Sequence, residues 1–200
     1  MRPARLTAAT TLCAALLAPL PAALAQSAPA PAQSAAVLDH SFRRLHAAET
    51  VHLRERYAGQ PLLIVNTASH CGYTRQFGAL EALSRRYRER GLKVLGFSSD
   101  DFNQEADDEA RAAKVCFVNF GVSFDMFAPI HVRGGNAHPL FRELARQAEA
   151  PRWNFHKYLV DRDGKVVASF PSRVEPDAAE VLAAIEGVLD ASPPPARLRQ

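Results

Sequence analysis

Apolar runs alternate with helical patterns along the middle of the chain. Residues 62–66 and 92–97 are two such runs, and their length and content predict buried β-strands. Apolar side chains between them recur at spacings of three, three and four, which predicts a helix with one buried face: Phe77, Leu80, Leu83 and Tyr87. A second helix is predicted over residues 105–118. Strands joined by helices run parallel, so the carboxyl ends of both strands are expected at one edge of a sheet.

Shorter elements are predicted on both sides of this unit. They are a pair of strands at 37–42 and 49–53, a turn at 57–61, an extended piece at 122–127, a helix at 138–148, a strand at 153–160, a turn at 161–164, an antiparallel strand at 165–170 and a closing helix at 176–189. The expected fold class is α/β, with a central mixed β-sheet flanked by helices in one domain over residues 37–190.

The first residues have the pattern of a secretory leader. Two arginines precede a mostly apolar, alanine-rich stretch at 6–24, and a small-x-small cleavage pattern follows at 23–25. We therefore expect a signal peptide at 1–25, cut after Ala25. A retained membrane anchor is the alternative, but Pro19 and Pro21 break a stretch that is already short for a spanning helix.

Export sets the expected organisation and location of the rest of the chain. Residues 26–36 have the composition of a flexible, low-complexity tether, and residues 191–200 are expected to form a disordered tail. The leader and the alanine-rich composition suit a bacterial periplasm. Removing the leader takes two arginines from 24 Lys+Arg and leaves 22 against 21 Asp+Glu. This near balance gives no argument for nucleic-acid binding.

Cys71 lies between the first predicted strand and its helix. Backbone N–H groups at a helix N-terminus favour an anion, so a thiol there becomes a reactive thiolate more readily. The alternative is that Cys71 is not reactive and serves as a small apolar residue buried in the core. Cys116 is the other cysteine of the exported chain, and the two could also form a structural disulfide. Thr74 stands where a Cys-x-x-Cys motif would need its second cysteine, which argues against a thioredoxin-type oxidoreductase. The scattered histidines predict no metal site.

Four separated motifs, taken together, carry a family resemblance. They occupy residues 66–74, 102–105, 136–141 and 153–155. In this order and spacing the chain resembles the glutathione peroxidase family from about residue 37 to residue 189. The resemblance implies a thioredoxin-like fold, a peroxidase activity and no cofactor.

The resemblance also implies roles for particular residues. Cys71 matches the peroxidatic position, with sulfur where some members have selenium, and Gln104, Trp153 and Asn154 match the residues that assist it. Their amide and indole N–H groups are neutral donors that can stabilise charge on the leaving oxygen. Cys116 matches the resolving thiol of the thioredoxin-reduced branch, which condenses with the sulfenic acid of Cys71 to a Cys71–Cys116 disulfide.

The expected function is therefore a thiol peroxidase in oxidative-stress defence, reducing hydrogen peroxide and organic or lipid hydroperoxides. The expected reductant is a thioredoxin-like protein or glutathione, and the expected state is a monomer or small dimer without stable membrane insertion. A disulfide needs Cα atoms within about 7 Å of each other. A cysteine inside the predicted helix is expected to start farther than this from Cys71, so we expect the helix to open locally during turnover. The alternative is a non-enzymatic exported redox sensor or binding module with a structural disulfide.

One departure from the family pattern affects reactivity. Asp100 and Asp101 stand in the loop after the second core strand, where many members have no acids. Carboxylates close to Cys71 would raise its pKa and slow its reaction, because they disfavour a second negative charge.

Overall fold

The computed structural model describes Met1 and residues 37–191. The predicted leader, the tether and residues 192–200 of the tail otherwise lie outside the described residues. The named strands are β1 (Ser41–Arg43), β2 (Thr50–His52), β3 (Leu62–Thr67), β4 (Lys93–Ser98), β5 (Asp125–Phe127), β6 (Lys157–Val160) and β7 (Val166–Phe170). The named helices are α1 (Leu53–Tyr57), α2 (Gln76–Tyr87), α3 (Glu109–Ala113), α4 (Pro139–Gln147) and α5 (Ala179–Asp190), and α3 continues directly into a π-helix at Lys114–Asn119.

Five strands form the central sheet in the order β5-β4-β3-β6-β7. β3, β4 and β5 are parallel, whereas β6 and β7 are antiparallel to their neighbours, so the sheet is mixed as expected. The register pairs Leu62 with Lys93 and Thr67 with Ser98. The carboxyl ends of β3 and β4 therefore lie side by side. β1 and β2 form a separate antiparallel pair.

Helices cover both faces of the sheet. Every residue of β3 is buried, which fits its nearly continuous apolar sequence. One core layer packs α2, α5 and the π-helix on the sheet, and the other packs α1, α4 and the β1–β2 pair on the opposite face. This is an α/β sandwich around a mixed sheet. Among residues 37–191, no helix is long and apolar enough to cross a bilayer.

The predicted strand at 153–160 is wrong in its first half. β6 begins only at Lys157, and residues 153–156 form a turn. Phe155 has a φ of 64°, in the left-handed region that an apolar residue rarely adopts, and its N–H donates to the carbonyl of Asn66 at 2.6 Å. That tertiary contact overrides the extended pattern of the local sequence.

The predicted helix at 105–118 begins four residues late. The Asp108 carboxylate accepts the N–H of Arg111 at 2.8 Å and so caps α3. Glu105 lies outside the helix, where its carboxylate accepts hydrogen bonds from Ser69 and Ser98. A short helix, α1, replaces the end of the predicted strand at 49–53 and the start of the predicted turn at 57–61. The predicted strand at 37–42 is wrong at its start, because residues 37–38 are helical and β1 begins at Ser41. Each remaining predicted element overlaps its observed counterpart, with boundary shifts of up to three residues.

Candidate active site

Cys71 lies in a turn at the carboxyl end of β3. Its N–H donates to the Thr74 hydroxyl oxygen at 3.0 Å, and that hydroxyl donates to the carbonyl of Ala68 at 3.0 Å. The thiol accepts the N–H of Tyr73 at 3.4 Å. Cys71 is 7% exposed. The Thr74 hydroxyl thus links Ala68 to Cys71 and holds the cysteine loop in a fixed shape.

The helix that follows Cys71 begins later than the sequence suggests. α2 starts at Gln76, so Cys71 lies five residues before it and not in its first turn. The observed donor to the thiol is the N–H of Tyr73 in the preceding turn. The backbone still offers an N–H to Cys71, but through a local turn instead of the end of α2.

Gln104 is in the loop after β4, next to the cysteine loop. Its carbonyl accepts the N–H of His70, the residue before Cys71, at 2.8 Å. Its half-exposed side chain forms no hydrogen bond with another described residue. The sheet therefore brings Gln104 to the edge that carries Cys71, as the parallel strand order predicted.

Glu105 joins the two loops. Its carboxylate accepts the N–H and hydroxyl of Ser69 and the hydroxyl of Ser98, and also the N–H of Ala106 at 2.9 Å. Four donors on one carboxylate make a strong cross-link, because hydrogen bonds to a charged acceptor exceed those between neutral groups. The loop after β4 is thereby held against the loop of Cys71.

The two acids expected beside Cys71 have other partners. The Asp101 carboxylate accepts hydrogen bonds from the backbone N–H groups of Val132 and Arg133, at 2.6 and 3.1 Å, and lies 2.6 Å from His131 Nδ1. These partners hold the pKa of Asp101 below its ordinary value, against the opposing effect of burial. Asp100 accepts the N–H of Glu105 at 3.0 Å. Both aspartates thus brace the loop after β4.

The Trp-Asn turn is fastened to β3 by Asn66. The Asn66 side chain donates to the carbonyl of Trp153 at 3.2 Å and accepts the N–H of His156 at 3.1 Å. Asn66 is the last residue but one of β3, and its side chain is fully buried. One amide therefore sets the position of the turn at the same sheet edge as Cys71.

Asn154 and Trp153 occupy different environments in that turn. Asn154 is fully buried, and neither its Nδ2 nor its Oδ1 has a hydrogen-bond partner among the described residues. Trp153 is 40% exposed, with its ring 5.2 Å from the ring of Phe102. The guanidinium carbon of Arg133 lies over the ring of Phe102, 4.8 Å from its centre. The turn thus combines a buried free amide with an exposed aromatic surface.

A buried lysine supports the turn from within the core. Lys157 Nζ donates to the carbonyl of Phe155 at 2.7 Å and to Oε1 of Gln76 at 2.8 Å. Gln76 in turn donates to the carbonyl of Ser172 at 2.8 Å. Burial lowers the pKa of Lys157 to about 8. The first residue of α2 and the turn before β6 are therefore linked through one side chain.

Cys116 lies in the π-helix and in the same core layer as Cys71. It is 3% exposed. Burial raises the pKa of Cys116 to about 12, and the negative charge of Glu105 adds to the shift. Both cysteines are free thiols in this structure. Cys116 is therefore a neutral thiol at pH 7 in this conformation, and the Cys71–Cys116 disulfide stays a prediction.

Three polar residues at the site were given no role in the sequence analysis: Asn66, Glu105 and Lys157. The sequence did contain an indication for Asn66 and Lys157. Each is a polar residue next to an apolar strand sequence, and a buried polar group needs a hydrogen-bond partner. The sequence contained no such indication for Glu105, because its partner on the cysteine loop, Ser69, is identified only by the tertiary structure. No cluster of three or more His, Cys, Asp or Glu side chains suited to a metal occurs within the described part of the chain.

Comparison with known proteins agrees with this geometry. The family model for glutathione peroxidase matches residues 38–145. The chain is 42% identical over 138 residues to the glutathione peroxidase of Lactococcus lactis subsp. cremoris, covering 66% of this chain and 87% of that protein. It is 43% identical over 151 residues to the hydroperoxy fatty acid reductase of Synechocystis, covering 70% and 88%.

A solved structure also aligns over most of the molecule. The crystal structure of Trgpx in apo form gives a TM-score of 0.63 at 28% identity, covering 80% of this chain and 99% of that one. The fold and the cysteine at the end of β3 define a thioredoxin-like protein with thiol chemistry. The chain belongs to the glutathione peroxidase family. It is a thiol peroxidase, which reduces a peroxide at the expense of a thiol reductant.

Proposed function

We propose that Cys71 is the nucleophile of this peroxidase. Its sulfur attacks one peroxide oxygen, the O–O bond breaks, and the other oxygen leaves as an alkoxide or hydroxide that takes up a proton. Cys71 is left as a sulfenic acid, so the sulfur is oxidised by two electrons and the peroxide is reduced to an alcohol or water. Gln104, Trp153 and Asn154 act as donors to the leaving oxygen.

The observation that supports this proposal is the free amide of Asn154. A buried amide without a partner costs about 1–3 kcal/mol, and such a group is retained where a ligand or transition state uses it. Asn66 holds the turn of Asn154 at the sheet edge where Cys71 lies. A neutral donor placed before the reaction stabilises developing negative charge without reorganisation.

Cys116 is the resolving thiol in this proposal. Its sulfur attacks the sulfur of the Cys71 sulfenic acid, a disulfide forms, and the hydroxyl leaves as water. Burial and Glu105 keep Cys116 protonated where it lies, so its attack requires the π-helix to open and expose the thiol. Phe117 and Val118 of that helix are already exposed, so opening it removes little apolar packing at those positions.

The substrates are hydrogen peroxide and organic or lipid hydroperoxides, and the role is oxidative-stress defence. The name of the Synechocystis relative, a hydroperoxy fatty acid reductase, supports the lipid substrate. A thioredoxin-like protein, with glutathione as the competing candidate, reduces the Cys71–Cys116 disulfide. The non-enzymatic alternative with a permanent disulfide is not favoured, because the chain belongs to a family of peroxidases. The oligomeric state is proposed to be a monomer or small dimer.

Rapid mixing of the reduced protein with peroxide tests the chemistry. Trp153 is the single tryptophan and reports the oxidation of Cys71 by its fluorescence. Cys71→Ser should consume no peroxide, and Cys116→Ser should turn over once with thioredoxin and accumulate a sulfenic acid that a cyclic diketone traps. Asn154→Ala should slow the first step roughly 10²-fold. Asn136→Ala, which changes an exposed asparagine, is the control. Equal, slow peroxide consumption by all variants would disprove the proposal.

Export to a bacterial periplasm is proposed on the sequence of residues 1–25. The test is cell fractionation of the full chain, followed by sequencing of the amino terminus of the recovered protein. A periplasmic protein beginning at Gln26 agrees with the proposal, whereas an uncut cytoplasmic or membrane-bound protein contradicts it.

A further inference from the structure

A polar cleft lies at the edge of the sheet opposite the one that carries Cys71. Its volume is about 410 Å³, and it opens between α1, α2 and the first residues of β4 and β5. Lys93 begins β4 and Asp125 begins β5, whereas Cys71 follows the end of the parallel strand β3. Six strand residues separate the two ends by roughly 20 Å. The cleft is therefore distinct from the peroxidase site.

Three cations on the cleft wall have no acidic partner. Arg56, Arg88 and Lys93 line the cleft, and none of them lies within ion-pair distance of a described carboxylate. The other arginines in the second half of α2 and just after it do have acidic partners. Arg85 pairs with Glu81, and Arg86 and Arg90 pair with Glu186. Arg88 instead donates to the Ser123 hydroxyl at 3.0 Å. None of the three cations therefore forms an ion pair within the part of the chain that the structure describes.

The acidic residue on the cleft wall, Asp125, has partners of its own. Asp125 accepts hydrogen bonds from Arg44 on one oxygen and from the Tyr57 hydroxyl on the other. Its side chain is 19% exposed. Arg44 also pairs with Glu49, so it does not fully cancel the charge of Asp125. The three cations of the lining still outnumber this acid, and the lining is net positive.

The cleft also contains a free hydroxyl and an apolar wall. Ser84 is 6% exposed and lines the cleft, yet its hydroxyl forms no hydrogen bond with another described residue. Leu92, Val94 and Phe124 line the same space. A hydroxyl without a protein partner, on a cleft wall that also carries two guanidinium groups and an ammonium, is suited to an anion with several acceptor oxygens. The volume exceeds that of one inorganic phosphate and is within the range of small-molecule sites.

We propose that this cleft binds a small organic phosphate. Arg56, Arg88 and Lys93 neutralise the phosphate, Ser84 donates to one of its oxygens, and the apolar wall contacts the organic part. The phosphate could belong to a free metabolite or to a lipid headgroup, and both present the same chemistry to these residues.

Titration with phenyl phosphate, followed through the amide NMR signals of the full chain, tests the proposal. We expect saturable shifts at Ser84, Lys93 and Ser123. The double variant Arg88→Gln/Lys93→Gln should bind at least about tenfold more weakly, since it loses two charged partners. The double variant Arg111→Gln/Arg146→Gln removes the same charge from exposed arginines that pair with Asp108 and Glu143, and it should bind like the wild type. Peroxidase activity in all variants serves as the check on folding.

Two further arms separate the possible results. Phenol should not bind, and vesicles of phosphatidylglycerol in phosphatidylcholine test the lipid source. Binding of phenyl phosphate supports the site with a free organic phosphate as its ligand. Vesicle binding that the cleft variant loses supports the site with a lipid headgroup as its ligand. The proposal is overturned if phenyl phosphate produces no saturable shift and the vesicles are not bound through the cleft, or if the cleft variant binds phenyl phosphate as the wild type does. Loss of peroxidase activity at Cys71 would leave this result unaffected.

Discussion

Lys157 Nζ and Gln76 Oε1 are joined by a 2.8 Å hydrogen bond in the interior of the protein. The lysine is fully buried and also binds the carbonyl of Phe155, which has left-handed backbone geometry. Through these bonds the start of α2, five residues after Cys71, is tied to the turn that carries Trp153 and Asn154. A single cation thus connects the two halves of the active site beneath its surface.

Replacing Lys157 by Met should destabilise the protein and slow the peroxide reaction. The apolar side chain fills similar space but leaves Gln76 and the carbonyl of Phe155 without their donor, which costs about 1–3 kcal/mol. Denaturant unfolding measures the free energy, and rapid mixing with peroxide measures the rate. Lys165→Met, at an exposed turn position, is the control. An unchanged peroxide rate in a destabilised Lys157→Met would show that the lysine acts on folding alone.

Asn66→Ala should have a similar double effect. It removes one hydrogen bond to Trp153 and one from His156, so unfolding free energy is expected to fall by about 1–3 kcal/mol. The loosened turn misplaces Asn154, and the peroxide rate should fall about tenfold or more. The measurement is the same pair of experiments, with the exposed Asn136→Ala as control. Wild-type kinetics in Asn66→Ala would contradict the positioning role.

Cys116 should contribute less to stability as the solution becomes alkaline. The pKa of this thiol is raised from 9.0 to about 12 in the folded protein, so between these pH values the folded state holds a proton that the unfolded state has lost. Stability from this group is complete below pH 9 and declines by about 1.4 kcal/mol per pH unit above it. The lowered pKa of Lys157 acts in the opposite direction over this range, so the quantity to compare is the difference between two proteins. Denaturant unfolding of the reduced wild type and of Cys116→Ser should give a difference in unfolding free energy that moves against the wild type as the pH rises from 9 to 10. Parallel curves for the two proteins would refute the assignment.

Acid should destabilise the protein through His156. Burial lowers the pKa of this ring from 6.5 to about 4, so the unfolded state binds a proton that the folded state rejects. The contribution to stability is complete above pH 6.5 and is lost at about 1.4 kcal/mol per unit as the pH falls to about 4. His156→Gln should flatten this part of the stability curve. His46→Asn, at an exposed residue whose left-handed backbone asparagine tolerates, should leave it unchanged.

The apolar patterns of the sequence were enough to predict the α/β class, the two parallel core strands, the helix between them and the edge at which Cys71 and Gln104 meet. These features depend on local periodicity and on the rule that a crossover connection makes strands parallel, so they need no knowledge of distant contacts. The family was also recognisable from four short motifs, and the comparisons confirm it.

Tertiary contacts alone decided the rest of the site. Residues 153–156 have a strand-like sequence but form a turn, because Asn66 of β3 and Lys157 bind their backbone. Asp101, expected to oppose the thiolate, is bound by residues 131–133, and Asp100 is bound within its own loop by the N–H of Glu105. Glu105 is the carboxylate that joins the loops and acts on Cys116. Each of these outcomes depends on hydrogen bonds between residues far apart in sequence, and a local pattern carries no information about which partner a buried polar group will find.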